Sequence, residues 1–206
     1  MASTEQRMVS MDRDRVAELH YIAPIANLTS IAFRGILCHN LAKTVDHVSV
    51  ALESVQDIRR GKRLPNGELL HDYTNLYFDA RNPMMYLRKS EREDLVVIRV
   101  NPAVLDLPGA IVSDGNAATS GTQFYWSPAG LRMLDEERVY AEWWTDPDRW
   151  VWMEKKRQRC AEVLIPGSVA PQYLMGCYVY SRAAEQVCQS HMPDLGVVVK
   201  ADVFFG

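Results

Sequence analysis

The 206-residue sequence is poor in the features that most directly announce a function. It contains no G-x-G-x-x-G and no P-loop, so neither a Rossmann dinucleotide site nor a Walker-type phosphate loop is expected. Cysteine is sparse: Cys38, Cys160, Cys177 and Cys188 form no C-x-x-C pair and lie in no secretory context. Neither a zinc site nor a disulfide framework is therefore indicated, and free thiols are expected. His20, His39, His47, His71 and His191 fall at no H-E-x-x-H or related ligand spacing, and no metal is expected. No apolar run approaches the roughly 18 residues of a membrane span, and the polar N-terminus lacks the apolar core of a signal peptide. The expected location is the cytoplasm. Basic excess is also missing: the formal net charge of −3 argues against coating nucleic acid over the whole surface and leaves a local basic groove open.

What is present is a chain long enough for one compact domain with a real core. Residues 1–18 read as a polar leader and 19–206 as the domain. Leu19 to Ile22 reads as a strand closed by Pro24, followed by a helix through Ile25, Leu28 and Ile31 that ends at Gly35. Residues 46–52 read as a further strand, Ser54 to Arg60 as a short helix and Pro65-Asn66-Gly67 as a turn. An aromatic strand around Tyr73 to Phe78 precedes a helix opened by Asn82-Pro83. The β-branched run Leu95 to Val100 is the best central strand. Short strands are expected at Ala110 to Val112, Gln123 to Trp126, Gly176 to Tyr180 and within Gly196 to Phe205, with a helix capped by Ser181. Many short strands with irregularly spaced helices fit an α+β fold of two small mixed or antiparallel sheets.

One stretch calls for explanation beyond packing. In Cys160-Ala161-Glu162-Val163-Leu164-Ile165 a carboxylate interrupts an apolar strand. Period-2 alternation puts Cys160, Glu162 and Leu164 on one face and Ala161, Val163 and Ile165 on the other. An ionised carboxylate in such a place is either paired with a cation or lines a cleft. Two basic runs accompany it: Arg59, Arg60, Lys62 and Arg63, and Lys155, Lys156, Arg157 and Arg159. Trp143, Trp144, Trp150 and Trp152 make either a packed corner or a platform for a planar ligand.

Seven separated motifs in order carry a family resemblance. They are His20-Tyr21-Ile22-x-x-Ile25-x-Asn27-Leu28-x-x-Ile31-x-x-x-Gly35-Ile36-Leu37, Ile58-Arg59-Arg60-Gly61, Leu70-His71-Asp72-Tyr73, Leu76-Tyr77-Phe78, Pro83-Met84-Met85, Ser113-Asp114-Gly115-Asn116-Ala117 and Ala161-Glu162-Val163-Leu164. Together they resemble the DarT family of DNA ADP-ribosyltransferase toxins over nearly the whole chain. The resemblance implies an ADP-ribosyltransferase fold with a split NAD+ cleft, and transfer of ADP-ribose from NAD+ to a base, thymine or guanine, of single-stranded DNA. It assigns Glu162 and Arg59 as catalytic, and His20, Tyr21, Asn27, Arg59 and Tyr77 to NAD+. For the DNA it suggests Asn116, Lys155, Arg157 and Arg159.

This chain carries Asn116 and Tyr21 where relatives commonly have His. An amide hydrogen-bonds but is neither acid nor base near neutral pH, which excludes Asn116 as a proton shuttle. The family also implies a partner antitoxin with ADP-ribosyl-hydrolase activity, of the macrodomain or a related type. An RNA or protein acceptor, or a non-enzymatic NAD+-binding module, remains an alternative at this point.

Overall fold

The computed structural model describes residues 8–191, 193 and 195–206. Its strands are β1 (Leu19–Pro24), β2 (Ile36–Leu37), β3 (Tyr73–Tyr77), β4 (Leu95–Val100), β5 (Ile111–Ser113), β6 (Phe124–Trp126), β7 (Glu162–Pro166), β8 (Ser168–Val169), β9 (Leu174–Val179) and β10 (Val197–Val199). The α-helices are α1 (Leu28–Arg34), α2 (His39–Ala42), α3 (Glu53–Arg60), α4 (Pro83–Leu87), α5 (Glu136–Val139), α6 (Arg149–Gln158) and α7 (Arg182–His191). Eight strands form one sheet in the order β10-β9-β4-β1-β3-β7-β5-β6, and β2 pairs with β8 in a second, two-stranded one. Every neighbouring pair is antiparallel except β10 with β9. The α+β class with two sheets holds, with the division between the sheets very unequal. Among the described residues no helix is long and apolar enough to cross a membrane.

Alternation along the strands builds two unlike faces. Leu19, Ala23, Leu76, Val96, Ile98, Val100, Ala161, Val163 and Ile165 belong to one continuous cluster. The intervening residues divide between two smaller clusters, one holding Ile22, Leu95, Val97 and Tyr178 and the other Tyr73, Ile111 and Leu164. On β3, Tyr73 packs in the second of these, Tyr77 packs against the first, and Asn75 stands between them. A sheet face covered at two places and open in the middle is a cleft, and Tyr73, Asn75 and Tyr77 all line it. The small sheet is joined to this wall through Thr74, whose Oγ1 donates to the Ile36 carbonyl at 3.2 Å and the Gly167 carbonyl at 3.0 Å, and the chain enters that sheet through Gly35, whose φ of +79° admits Gly readily. A Cβ there would come within 2.0 Å of the Val169 carbonyl oxygen.

Three expectations change. Residues 46–52 form no strand: they are an irregular connection between α2 and α3, with Val48 and Leu52 exposed. The Asn27 side chain holds it, accepting from the Val48 N–H at 2.9 Å and donating to the Val48 carbonyl at 2.7 Å. The apolar residues there face the cleft rather than a strand partner, since Val48 to Leu52 all line it. Of the leader, residues 1–7 lie outside the described residues, while residues 8–18 pack onto the body: Met11 and Val16 are buried in the large cluster, and Ser10 bridges to Asp135. The tryptophans split, with Trp144 buried edge-on against Tyr86 and Phe205, Trp152 at the cleft and Trp150 78% exposed.

The glycines give a measurable contrast. Gly67 has φ +84° with nothing within 4 Å of where a Cβ would stand, whereas Gly35 adds a backbone collision to the same conformation. Gly67→Ala should cost about 1 kcal/mol and Gly35→Ala at least about 2 kcal/mol, read from urea midpoints at constant m.

Candidate active site

Arg59 reaches the cleft because of where it falls on a helix. Leu52, Val55, Gln56 and Arg59 recur at helical spacing at and within α3, and all four line the cleft. Glu162 opens β7 directly opposite Tyr77 of β3. The two side chains meet as a bidentate pair, Arg59 Nη1 donating to Oε1 at 3.2 Å and Nη2 to Oε2 at 3.0 Å. Arg59 is 7% exposed and Glu162 1%. The backbone N–H of Ala117 also donates to Oε1, at 2.8 Å. Arg59 lines the cleft, and Glu162 lies behind it.

The electrostatics follow from this burial. Burial alone would lower the pKa of the Arg59 guanidinium, and the facing charge of Glu162 outweighs it and raises the value. Burial, then the same carboxylate, pushes the Tyr77 phenol well above its ordinary range, so it stays protonated. A bidentate arginine–carboxylate pair holds two parallel N–H···O bonds and so fixes the plane and direction of the carboxylate. Arg59 still has further N–H donors for a ligand, since a guanidinium offers five.

The cleft has a volume of about 650 Å³, within the range of small-molecule sites. Of the residues singled out from the sequence, Tyr21, Asn27, Arg59, Tyr77, Asn116 and Arg157 line it. His20, Lys155 and Arg159 do not, for reasons of pairing. His20 is buried, with Nδ1 3.2 Å from the Phe78 carbonyl oxygen and Nε2 3.0 Å from Glu18. Glu18 also accepts from Arg99 and Tyr178, and these partners, His20 first, hold its carboxyl at about 2 against the opposing effect of burial. Lys155 pairs with Asp146 at 2.7 Å. Arg159 is buried and donates to the carbonyls of Val139, Ala141 and Arg81 and to Asp79, which leaves it no role at the surface. Arg157 touches the cleft, but its guanidinium is taken up by Asp114, Glu154 and Thr122.

The sequence reading named Lys156 only within a basic run and Trp152 only as one of four tryptophans, and it gave Arg149, Met153 and the pair His39 and His71 no place in the site. On α6, Arg149, Trp152, Met153 and Lys156 recur at i, i+3, i+4 and i+7 and all line the cleft. That spacing was available to find them. Lys156 Nζ lies 5.4 Å from the centre of the Trp152 ring. On the far wall His39 and His71 stack with ring centres 4.0 Å apart. Burial, then the neighbouring His39 and Arg59, pushes His71 down to about 4. Among the described residues His71 Nε2 and Gln56 Oε1 are buried without a hydrogen-bond partner, and both residues line the cleft. No sequence pattern distinguishes such unpaired atoms in advance, since pairing is a property of the fold.

Comparison with known proteins places this geometry. The family model described as "ssDNA thymidine ADP-ribosyltransferase, DarT" matches residues 20–204. A DNA ADP-ribosyl transferase–DNA ADP-ribosyl glycohydrolase fusion protein of Thermosipho africanus is 32% identical over 174 residues, 80% of this chain and 43% of the relative. A DNA ADP-ribosyl transferase of a Thermus species is 27% identical over 182 residues, 82% of this chain and 84% of the relative. Among solved structures, Thermosipho africanus DarTG in complex with ADP-ribose superposes with a TM-score of 0.80 at 27% identity, over 92% of this chain and 51% of that one. Thermus sp. 2.9 DarT in complex with ADP-ribosylated ssDNA gives 0.81 at 22% identity, over 97% and 100%. The chain thus spans about half the length of the Thermosipho protein and most or all of the Thermus one.

Two outcomes follow from the electrostatics. Glu162→Ala leaves a buried guanidinium unpaired and should destabilise the fold by about 3 kcal/mol, whereas Arg59→Met combined with Glu162→Leu should recover much of that loss in the same denaturation assay. His71 has a folded pKa below its unfolded value of 6.5, so the folded state binds fewer protons between 6.5 and about 4. Its contribution to stability is full above 6.5 and falls as the pH drops through that window. His71→Phe should flatten this part of the pH–stability curve.

Proposed function

We propose, since this chain belongs to the DarT family, that it transfers ADP-ribose from NAD+ to a thymidine base of single-stranded DNA with release of nicotinamide. The observation that carries the reading is the buried Arg59–Glu162 pair at a cleft large enough for a dinucleotide. Cleavage of the bond between nicotinamide and ribose leaves positive charge on the sugar, as in glycoside cleavage. A fixed carboxylate beside that charge stabilises the transition state more than the ground state. Glu162 supplies it from a strand paired on both edges, a rigid support. The attacking base nitrogen forms a bond to the ribose carbon as nicotinamide leaves, and its proton passes to Glu162 and on to solvent.

The remaining lining suits the two substrates. Tyr21 and Tyr77 offer aromatic surface, and the remaining Arg59 N–H groups suit the diphosphate. Unpaired Gln56 Oε1 and His71 Nε2 suit the polar groups of a nucleotide. For the DNA, Arg149 and Lys156 replace Lys155 and Arg159 as the cations at the mouth, with Trp152 and the exposed Trp150 on the same helix for stacking unpaired bases. A base inside a duplex is out of reach of this chemistry, which favours a single strand. The Thermosipho relative joins a transferase to a glycohydrolase in one chain. By that likeness the present chain acts as a toxin in the cytoplasm, opposed by a partner hydrolase that removes ADP-ribose.

Labelled NAD+ incubated separately with single-stranded oligonucleotides, RNA and a protein mixture should label the oligonucleotide on thymidine, located by mass analysis. Label on protein alone rejects the DNA reading. Glu162→Gln should bind NAD+ and transfer at least 100-fold more slowly, and should relieve the growth arrest of a host without the hydrolase. Lys156→Glu should raise KM for the oligonucleotide and reduce its salt dependence by roughly one phosphate contact.

A further inference from the structure

We propose that Arg157 is a positioning residue: it clamps residues 113–122 so that the Ala117 N–H anchors one oxygen of Glu162 and leaves the other with its accepting capacity. The proposal rests on the transferase reading above and goes beyond it. Arg157 lies in the last turn of helix α6, five positions before Glu162, and its own charge does not reach out for a ligand. Nη1 and Nη2 donate to the two carboxylate oxygens of Asp114 at 2.6 and 3.2 Å, and Nη1 also donates to Thr122 Oγ1 at 3.2 Å. Its backbone carbonyl accepts the Asn116 N–H at 2.9 Å. Thr122 Oγ1 in turn donates to the Asn116 carbonyl at 2.8 Å, so both backbone groups of Asn116 are held.

The fit at Gly115 shows how close this clamp lies. A Cβ on Gly115 would come within 2.4 Å of Arg157 Nη1 and 2.9 Å of its carbonyl oxygen, so a larger residue would push the loop off the arginine. From below, Ser113 Oγ accepts from the Glu162 N–H at 3.1 Å and donates to the Gly115 carbonyl at 2.7 Å. The segment is therefore gripped on both sides, and what it delivers is the Ala117 N–H at 2.8 Å from Glu162 Oε1. Asn116 is turned toward the cleft in the same movement, with its Oδ1 fixed by the Ala118 N–H at 2.9 Å.

The two oxygens of Glu162 are consequently unequal. Among the described residues Oε1 takes Arg59 Nη1 and the Ala117 N–H, while Oε2 takes Arg59 Nη2 alone. Oε2 is the oxygen with accepting capacity left for developing charge or for the proton of the base, and Oε1 is the hinge pin that sets its direction. A backbone donor cannot be deleted by changing its own side chain, so the arrangement has to be enforced from elsewhere. Arg157 does this without touching substrate.

The test compares Arg157→Lys, Arg157→Ala and Gly115→Ala with Glu154→Gln, which removes the other acidic partner of Arg157 and leaves the clamped segment alone. Both DNA labelling and nicotinamide release are followed, with the folded fraction of each variant set by its melting curve. The expected result is a fall in kcat of about 10- to 100-fold per folded molecule for the three clamp variants. KM for NAD+ should stay within about twofold, Arg157→Ala should regain activity with added guanidinium ion, and Glu154→Gln should match the wild type. Unchanged kcat in the clamp variants overturns the proposal. So does a loss fully accounted for by unfolding, or a rise in KM for NAD+ that would make Arg157 a direct ligand contact. If the wild type releases nicotinamide but labels no DNA, the acceptor reading fails and the clamp is still judged on nicotinamide release; if the wild type does neither, both fall.

Discussion

A carboxylate and a guanidinium taken out of water together are the constraint on which the rest of this structure depends. Each alone would be too costly to bury, and together they stay charged only if their geometry is good and the leftover lone pairs and protons are satisfied. That requirement reaches far beyond the pair. It needs α3 to present Arg59 inward, β7 to place Glu162 opposite Tyr77, and a third element to bring the Ala117 N–H. Three parts of the chain far apart in sequence converge on one carboxylate. The stability given up at such a centre is what a preorganised site commonly costs.

The sheet solves the accompanying problem of making a deep site without breaking a small protein in two. One face is sealed by a continuous cluster that crosses most of the strands, so the molecule keeps a single core. The other face is sealed only at two ends. The opening between them is walled by helices α3 and α6 and by the connection ahead of α3, and none of these walls has to carry the core. The wall ahead of α3 rests on two hydrogen bonds from the Asn27 amide and one from Arg88 to the Val50 carbonyl, a light attachment compared with strand pairing.

Much of this was legible in the sequence where a period was strong and local. The run Leu95 to Val100 gave a strand flanked on both sides, and alternation alone put Glu162 on the face opposite Val163. The family motifs then joined Arg59 to Glu162, which no local pattern could do across a separation of 103 residues. Charge runs were the poorest guide. Lys155, Lys156, Arg157 and Arg159 look alike in sequence, yet one pairs with Asp146, one lines the cleft, one clamps a loop and one is buried among carbonyls. Which of them meets solvent depends on acids and carbonyls contributed by distant elements. The segment 46–52 misled for a related reason, since a wall facing a cleft carries apolar residues much as a strand facing a core does.

The short distance along the chain between the arginine that grips the loop and the carboxylate that the loop serves has an evolutionary consequence. Arg157 stands at the end of a helix and Glu162 begins a strand, so the four residues between them convert one period into the other. Adding or removing one residue there would turn the strand over, sending Glu162 into the cluster that Val163 now fills and an aliphatic side chain toward Arg59. The connector is held in composition as well as in count, since Arg159, Cys160 and Ala161 are buried and Arg159 is bound to carbonyls of other elements. Descendants of this protein can therefore change little here in length, and insertions belong in the exposed connections elsewhere.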